Sequence, residues 1–265
     1  MTESATLLLR GQHAVVTGGG RGLGAAIATA LAAQGAHLTL MGRTAATLEQ
    51  RADAIRHTSG VRAQAIVCDV TDPASVQRAF ADAFRSFGPV RLLVNNAGQA
   101  DAAAFQEISL ESWQRLIDVN LTGTFLCTQQ VLPAMIAAGS GRIINLASTA
   151  GLKGYANVAA YCASKHGVIG LTRALAAETA KTGVTVNAVC PGYTDDTDMF
   201  SAAIDNVMRI TGKSAGDARA MLAKQSPRGT LITPQEVAGA VLWLCSPGAS
   251  AITGQAIAVA AGEVM

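Results

Sequence analysis

The chain has 265 residues, a net charge of +2, only 14% charged residues and half of its residues hydrophobic. A chain of this size and apolarity can bury one sizeable core. Its basic residues are scattered rather than run together, which excludes nucleic acid and an anionic membrane as partners.

The first predicted strand, near 13–17, runs directly into Gly18-Gly-Gly20-Arg21-Gly22-Leu23-Gly24 and a helix over 22–34. Glycines here let the backbone approach a pyrophosphate, and the helix N-terminus offers it unpaired N–H groups and a positive dipole end. The second strand, near 37–41, ends at Gly42-Arg43, where an NAD site would place an acid for the ribose 2′-hydroxyl. Glycine there, with Arg43 and Arg21 close by, favours NADP(H). NAD(H) is the alternative if the arginines only stack on adenine or cover apolar surface.

A helix over 44–58 leads to a third strand near 62–67 and then Asp69-Val70. Asp69 either accepts from an adenine amino group or caps the entry to the next helix, which Thr71-Asp72-Pro73 opens and which runs over 73–87. The fourth strand, near 91–95, passes into Asn95-Asn96-Ala97-Gly98, whose amides can pin strands and line the nicotinamide side of a cleft. A long helical pattern over 109–138 contains Pro133 and is expected to kink or end near it.

The fifth strand, near 142–147, brings Ser148 to its end, and the next helix, over 158–182, carries Tyr161-Cys-Ala-Ser-Lys165. Residues at i and i+4 share one helix face, so the ammonium can favour the ionised phenol and let it exchange a proton. A sixth strand near 184–189 leads to Pro191-Gly192, after which residues 193–228 break the rhythm as a lid or substrate loop, two packing helices being the plain alternative. A helix over 234–246 and a strand near 256–259 follow. Strands alternating with helices predict an α/β fold, a Rossmann-type parallel sheet covered on both faces, in a single domain.

Cys68, Cys127, Cys162, Cys190 and Cys245 form no Cys-x-x-Cys pair and sit in apolar stretches, which indicates buried, reduced thiols and the cytoplasm. Met1 to Arg10 carries an early acid and too short an apolar run for a signal peptide, and no segment is apolar for long enough to span a bilayer. The four histidines are isolated from each other and from any cysteine pair, so no metal is expected.

With Thr17-Gly-x-x-x-Gly-x-Gly24, Asn95-Asn-Ala-Gly98, Asn120, Ser148, Tyr161-x-x-x-Lys165 and Pro191-Gly192 in this order, the chain resembles the short-chain dehydrogenase/reductase family over nearly its whole length. The resemblance implies a seven-stranded sheet and a homotetramer built on the helices near 109–138 and 158–182. It assigns Tyr161 as general acid or base toward a carbonyl or alcohol oxygen and Ser148 as that oxygen's hydrogen-bond partner. Lys165 would lower the tyrosine pKa and hold the nicotinamide ribose, and Asn120 would break its helix locally and support a proton-relaying water chain. The implied cofactor contacts are Gly18, Gly20, Arg21, Gly22, Leu23, Gly24, Arg43, Asp69, Val70, Asn96, Ala97, Gly98, Tyr161, Lys165, Pro191 and Gly192.

One extra residue follows Gly192 relative to the family pattern, so either Thr194 or Thr197 would meet the nicotinamide carboxamide. Ala150, Tyr155, Tyr193 and the Met/Phe-rich segment 199–222 would surround the reacting carbon in a mainly apolar pocket. The implied chemistry is hydride exchange between NAD(P)(H) and a secondary alcohol or ketone. Among its relatives the chain looks most like those acting on 3-oxoacyl or 3-hydroxyacyl thioesters, with a broad carbonyl reductase, a sugar or steroid dehydrogenase, or a non-catalytic dinucleotide-binding subunit as alternatives.

Overall fold

The computed structural model describes residues 7–264; the N-terminal reading over Met1 to Thr6 lies outside the described residues. Seven strands form one parallel sheet: β1 (His13–Thr17), β2 (His37–Gly42), β3 (Ala63–Val67), β4 (Val90–Asn95), β5 (Gly141–Leu146), β6 (Val184–Pro191) and β7 (Ala256–Val259). Their spatial order is β3-β2-β1-β4-β5-β6-β7. The order reverses between β1 and β4, and a doubly wound sheet opens its ligand crevice at that reversal.

Side chains alternate across the sheet because successive Cβ atoms point to opposite faces. Val16, Leu40, Leu92 and Ile144 pack with α1 (Gly22–Ala33), α2 (Ala45–Ser59) and α9 (Pro234–Cys245) in one core layer. Val15, Met41, Leu93 and Ile143 face the other layer, with Val76 and Phe80 of α3 (Pro73–Phe87) and Cys127 and Val131 of α5 (Gly123–Ala137). Both faces are therefore dry, as a parallel sheet requires. This is the expected single-domain Rossmann architecture.

Local chemistry sets the helix ends. Asp72 caps α3 by accepting from the Ala74 amide, with Pro73 at the first turn. Thr233 and Glu236 form a reciprocal capping box at α9, again with a proline at the first turn.

The predicted 109–138 helix is not continuous. It consists of α4 (Leu110–Ile117), a π-helical turn over Asp118–Thr122 and α5. The interruption lies at Asn120, whereas Pro133 sits inside α5 one turn before its end. Segment 193–228 folds as α7 (Asp198–Thr211) and α8 (Ala215–Ala223), which follow α6 (Ala159–Thr179) and β6 in the chain. Among the described residues no helix is long and apolar enough to cross a membrane.

Candidate active site

The glycine turn is shaped by close approach. A Cβ on Gly24 would lie 2.1 Å from the Gly18 carbonyl oxygen and 2.6 Å from Asn96 Nδ2, so α1 can begin this near β1 only with glycine there. Gly18 and Gly22 take positive φ, 64° and 52°. Asn96 braces the turn by donating from Nδ2 to the carbonyls of Thr17 (3.0 Å) and Gly18 (3.2 Å). Thr17 Oγ1 in turn accepts from the amides of Asn96 and Ala97, both at 3.0 Å. Arg21, at the N-cap of α1, makes no side-chain cap, and the first turn holds no acid. These free N–H groups and the backbone-only cradle fit a dinucleotide pyrophosphate.

At the adenosine end, Gly42 closes β2 and Arg43 is exposed, with no carboxylate at the position where an acid would hold a 2′-hydroxyl. Asp69 Oδ1 accepts from the Thr71 amide (2.9 Å) and hydroxyl (2.7 Å), which hold its carboxyl below the usual range, with a further contribution from Arg43. It thus braces the turn ahead of α3, while the cap itself is Asp72. Val70 packs beneath Gly123, and Leu23 is half-buried against the α1 core layer. Gly20 faces Thr47 of α2. Arg21 pairs with Asp198 of α7 at 2.7 Å in a largely exposed contact.

Beyond the carboxyl ends of β4 and β5 the remaining predicted residues converge. Asn120 lies in the π-helical turn, where its Oδ1 accepts from the Gln99 amide (2.8 Å) and its Nδ2 donates to the Gln99 carbonyl (2.9 Å) and Ser164 Oγ (3.0 Å). A Cβ on Gly98 would lie 3.2 Å from Asn120 Oδ1 and 3.5 Å from Lys165 Nζ, which makes these three residues neighbours. Lys165 is buried on α6 and donates to the Leu146 carbonyl at 2.7 Å. Ser148 lies two residues past the end of β5, where it caps a 3₁₀ turn over Thr149–Gly151 and accepts from the amide of buried Ala150 at 3.1 Å.

Lys165 lies close to the Tyr161 ring while its hydrogen bond goes to the sheet. Lys165 Nζ lies over the Tyr161 ring, 5.7 Å from its centroid, and donates to the Leu146 carbonyl. Burial pushes the Tyr161 phenol up to about 12, opposed in part by the Ser148 hydroxyl. Burial likewise pushes Lys165 down to about 8. The Tyr161 hydroxyl faces Met199 Sδ of α7 at 3.6 Å.

After β6, whose last residue is Pro191, Gly192 leads to buried Thr194. Thr194 Oγ1 donates to the Gly192 carbonyl, and Thr197 Oγ1 donates to the Thr194 carbonyl, both at 3.0 Å. Thr197 caps α7 and its methyl group is the nearest atom that a Cβ on Gly22 would meet, at 3.7 Å. Thr197 therefore borders the glycine turn. Tyr193 packs edge-on to Phe200. Of the basic residues on this segment, Arg219 makes a two-pronged pair with Asp195 and lies over Phe200.

The expected strand-pinning amide has partners the sequence did not name, and one further residue was missed outright. Asn95 donates to Thr128 Oγ1 (3.0 Å) and Asn145 Oδ1 (2.9 Å), and Asn145 donates to Thr172 Oγ1 (2.9 Å), forming a buried polar ladder across β4 and β5 into α5 and α6. The register Asn95↔Asn145 carried a signal, amides opposite each other on paired strands, but only once the pairing is known. The missed residue is Glu263, whose carboxylate meets Tyr155.

The family model described as short chain dehydrogenase matches residues 12–207. The chain belongs to that family. It is 37% identical over 254 residues to the 3-oxoacyl-[acyl-carrier-protein] reductase FabG of Aquifex aeolicus, covering 96% of this chain and 98% of the relative. It is 41% identical over 250 residues to the cis-4-hydroxycyclohexanecarboxylate dehydrogenase of Sinomonas cyclohexanicum, covering 94% and 95%. A crystal structure of an actinorhodin polyketide ketoreductase variant with NADPH superposes with a TM-score of 0.92 at 39% identity, covering 95% of this chain and 97% of that one. The enzyme is an NAD(P)-dependent oxidoreductase that interconverts a secondary alcohol and a ketone.

Proposed function

We propose that the enzyme is an NADPH-dependent ketoreductase whose substrate is a 3-oxoacyl thioester or a ketone of similar shape, with Tyr161 as the proton donor. The observation that carries this reading is the gathering of Ser148, Tyr161, Lys165 and Asn120 beyond the carboxyl ends of β4 and β5, with Ser148 next to the Tyr161 phenol and Lys165 close to its ring. At neutral pH the phenol is protonated, as tyrosine ordinarily is, and can give that proton to a carbonyl oxygen as it becomes an alkoxide. The names of the Aquifex relative and of the NADPH-bound ketoreductase support the same direction.

A bound nicotinamide would supply the hydride for the carbonyl carbon. Gly18 to Gly24 and the N-terminus of α1 would hold its pyrophosphate, and Arg43 would meet a 2′-phosphate. Ser148 would donate to the substrate oxygen and stabilise the charge that develops there. Lys165 would hold the nicotinamide ribose and replace the proton that Tyr161 gives up, with Asn120 keeping the turn beside it open to a relay. Either Thr194 or Thr197 would meet the carboxamide. Residues 193–228 would act as the lid, with Met199 moving off the Tyr161 hydroxyl to admit the ketone, and Ala150, Tyr155 and Tyr193 would border the reacting carbon.

The deciding experiment follows nicotinamide absorbance with a panel of 3-oxoacyl thioesters, simple ketones and secondary alcohols, each with NADPH and NADH. The reading expects thioester reduction with NADPH to show the highest kcat/KM. The Sinomonas relative favours a second reading, an alicyclic alcohol dehydrogenase, which the same panel detects as preferential oxidation of cyclohexanols. Arg43→Ala should weaken NADPH about tenfold more than NADH, and equal losses would defeat the 2′-phosphate assignment. The five cysteines are unpaired and buried, which supports a cytoplasmic protein. Half-exposed Phe125 and Ile136 on α5 support a homotetramer built on that helix and α6.

A further inference from the structure

Glu263 belongs to none of the motifs above. It follows β7, where Ala261 and Gly262 take positive φ (48° and 88°) and turn the chain back so that the Glu263 amide donates to the Ala260 carbonyl at 3.0 Å. Its side chain is only 3% exposed. The carboxylate accepts a hydrogen bond from the Tyr155 hydroxyl and pairs with Lys153 at 3.7 Å. Lys153 Nζ also donates to the Glu263 carbonyl at 3.2 Å and lies 4.8 Å from the centroid of the Tyr155 ring. On its other side the carboxylate rests against Gly192, where a Cβ would come within 2.8 Å of Oε2.

One buried carboxylate therefore bonds its own segment to the one after β5 that carries Lys153 and Tyr155, and packs against the one after β6 that begins at Gly192. A buried carboxylate is costly unless paired, and an apolar side chain would hold segments together at less cost, so what the ion adds is a particular arrangement. Tyr155 and Tyr193, which the proposed function sets beside the reacting carbon, lie within the field of this carboxylate. The Tyr155 hydroxyl is committed to Glu263.

We propose that Glu263 is a positioning residue that determines substrate size, a clasp that holds the Tyr155 and Gly192 segments together and so limits the bulk of ketone admitted beside Tyr161. The proposal rests on the ketoreductase reading above. Without the clasp the Tyr155 segment loses its anchor and can move away from Gly192, which loosens the fit of a small ketone and relieves crowding of a large one.

The test compares a small and a bulky member of whichever ketone class the native enzyme reduces: cyclohexanone against 4-phenylcyclohexanone, or an acetoacetyl against a phenyl-substituted 3-oxoacyl thioester. In Glu263→Ala, kcat/KM for the small ketone should fall about tenfold, chiefly through KM, while that for the bulky one holds or rises. Glu263→Gln keeps an acceptor for Tyr155 and should fall between native and alanine. Tyr155→Phe removes one hydrogen bond and leaves the ion pair, so it should move the size ratio about threefold in the same direction without threatening the fold. Parallel losses on both ketones, or an unmoved ratio in Glu263→Ala and Tyr155→Phe, overturn the clasp. A native protein that reduces no ketone with either dinucleotide overturns the ketoreductase reading and the clasp with it, whereas native reduction with an unmoved ratio overturns the clasp alone.

Discussion

Tyr161 and Lys165 are adjacent on one face of α6, yet burial drives their proton affinities in opposite directions, to about 12 and about 8. In the reduction direction Tyr161 stays protonated across the neutral range, so the group that titrates is Lys165. The kcat for ketone reduction should therefore fall as pH rises through about 8, where the ammonium that replaces the proton of Tyr161 is lost, and a pH profile checks this. Tyr161→Phe should lower kcat by about a hundredfold or more while the affinity for NADPH, followed by fluorescence titration, stays within about twofold. Lys165 is also a stability liability. Unfolded, it holds its proton to 10.5, and folded only to about 8, so folding releases a proton between those values and stability rises with pH across that window. Below about 8 the buried ammonium costs stability at full strength. Lys165→Met should accordingly abolish turnover yet raise Tm at neutral pH by about 2–4 °C, measured by thermal denaturation. The residue pair itself was legible in the sequence because i and i+4 are always neighbours on a helix. The direction of the lysine's hydrogen bond was not, since Leu146 lies nineteen positions away on β5 and only the packing of α6 against the sheet brings its carbonyl within reach.

At the scale of elements, the strand–glycine–helix unit is readable from composition because each glycine answers a local demand. Gly24→Ala would force a Cβ to within 2.1 Å of the Gly18 carbonyl oxygen, a backbone clash that no rotamer relieves. It should cost about 1–3 kcal/mol of stability, seen as a lower Tm, and weaken NADPH binding by at least tenfold in a fluorescence titration. The helix over 109–138 was less legible. The family resemblance led to the expectation of a local break at Asn120, and the π-helical turn over Asp118–Thr122 lies there, whereas the break expected near Pro133 does not form. The turn persists because Asn120 spends its side chain on Gln99 and Ser164, partners supplied by a loop and by another helix. Segment 193–228 had the opposite problem, since its polar start and short amphipathic stretches suited both a lid and two packing helices. It forms two helices, and the start of α7 meets the site through two long-range contacts, Arg21 with Asp198 and Met199 with Tyr161. The Arg21–Asp198 pair is largely exposed on both sides and contributes little to stability by itself.

For the whole molecule, apolar residues remain on the outer surface of α5, with Phe125 and Ile136 each more than 40% exposed. If copies of the enzyme associate through this helix, light scattering should give a tetramer of the 27.0 kDa chain, and Phe125→Glu should shift it to smaller species. What the sequence determined by itself is whatever short-range geometry enforces: the alternation of strands and helices that makes a parallel sheet, the glycine turn at the end of β1, the absence of an acid after β2, and the Tyr161–Lys165 face of α6. The tertiary structure alone decided the rest: the partners Asn145 and Thr172 in the polar ladder, the partners Gln99 and Ser164 that hold Asn120, the engagement of Arg21 by Asp198, and the burial of Glu263 among Tyr155, Lys153 and Gly192. These depend on residues far apart in the chain, and a carboxylate near residue 263 reads as one more solvated charge until the fold removes it from water and surrounds it with partners.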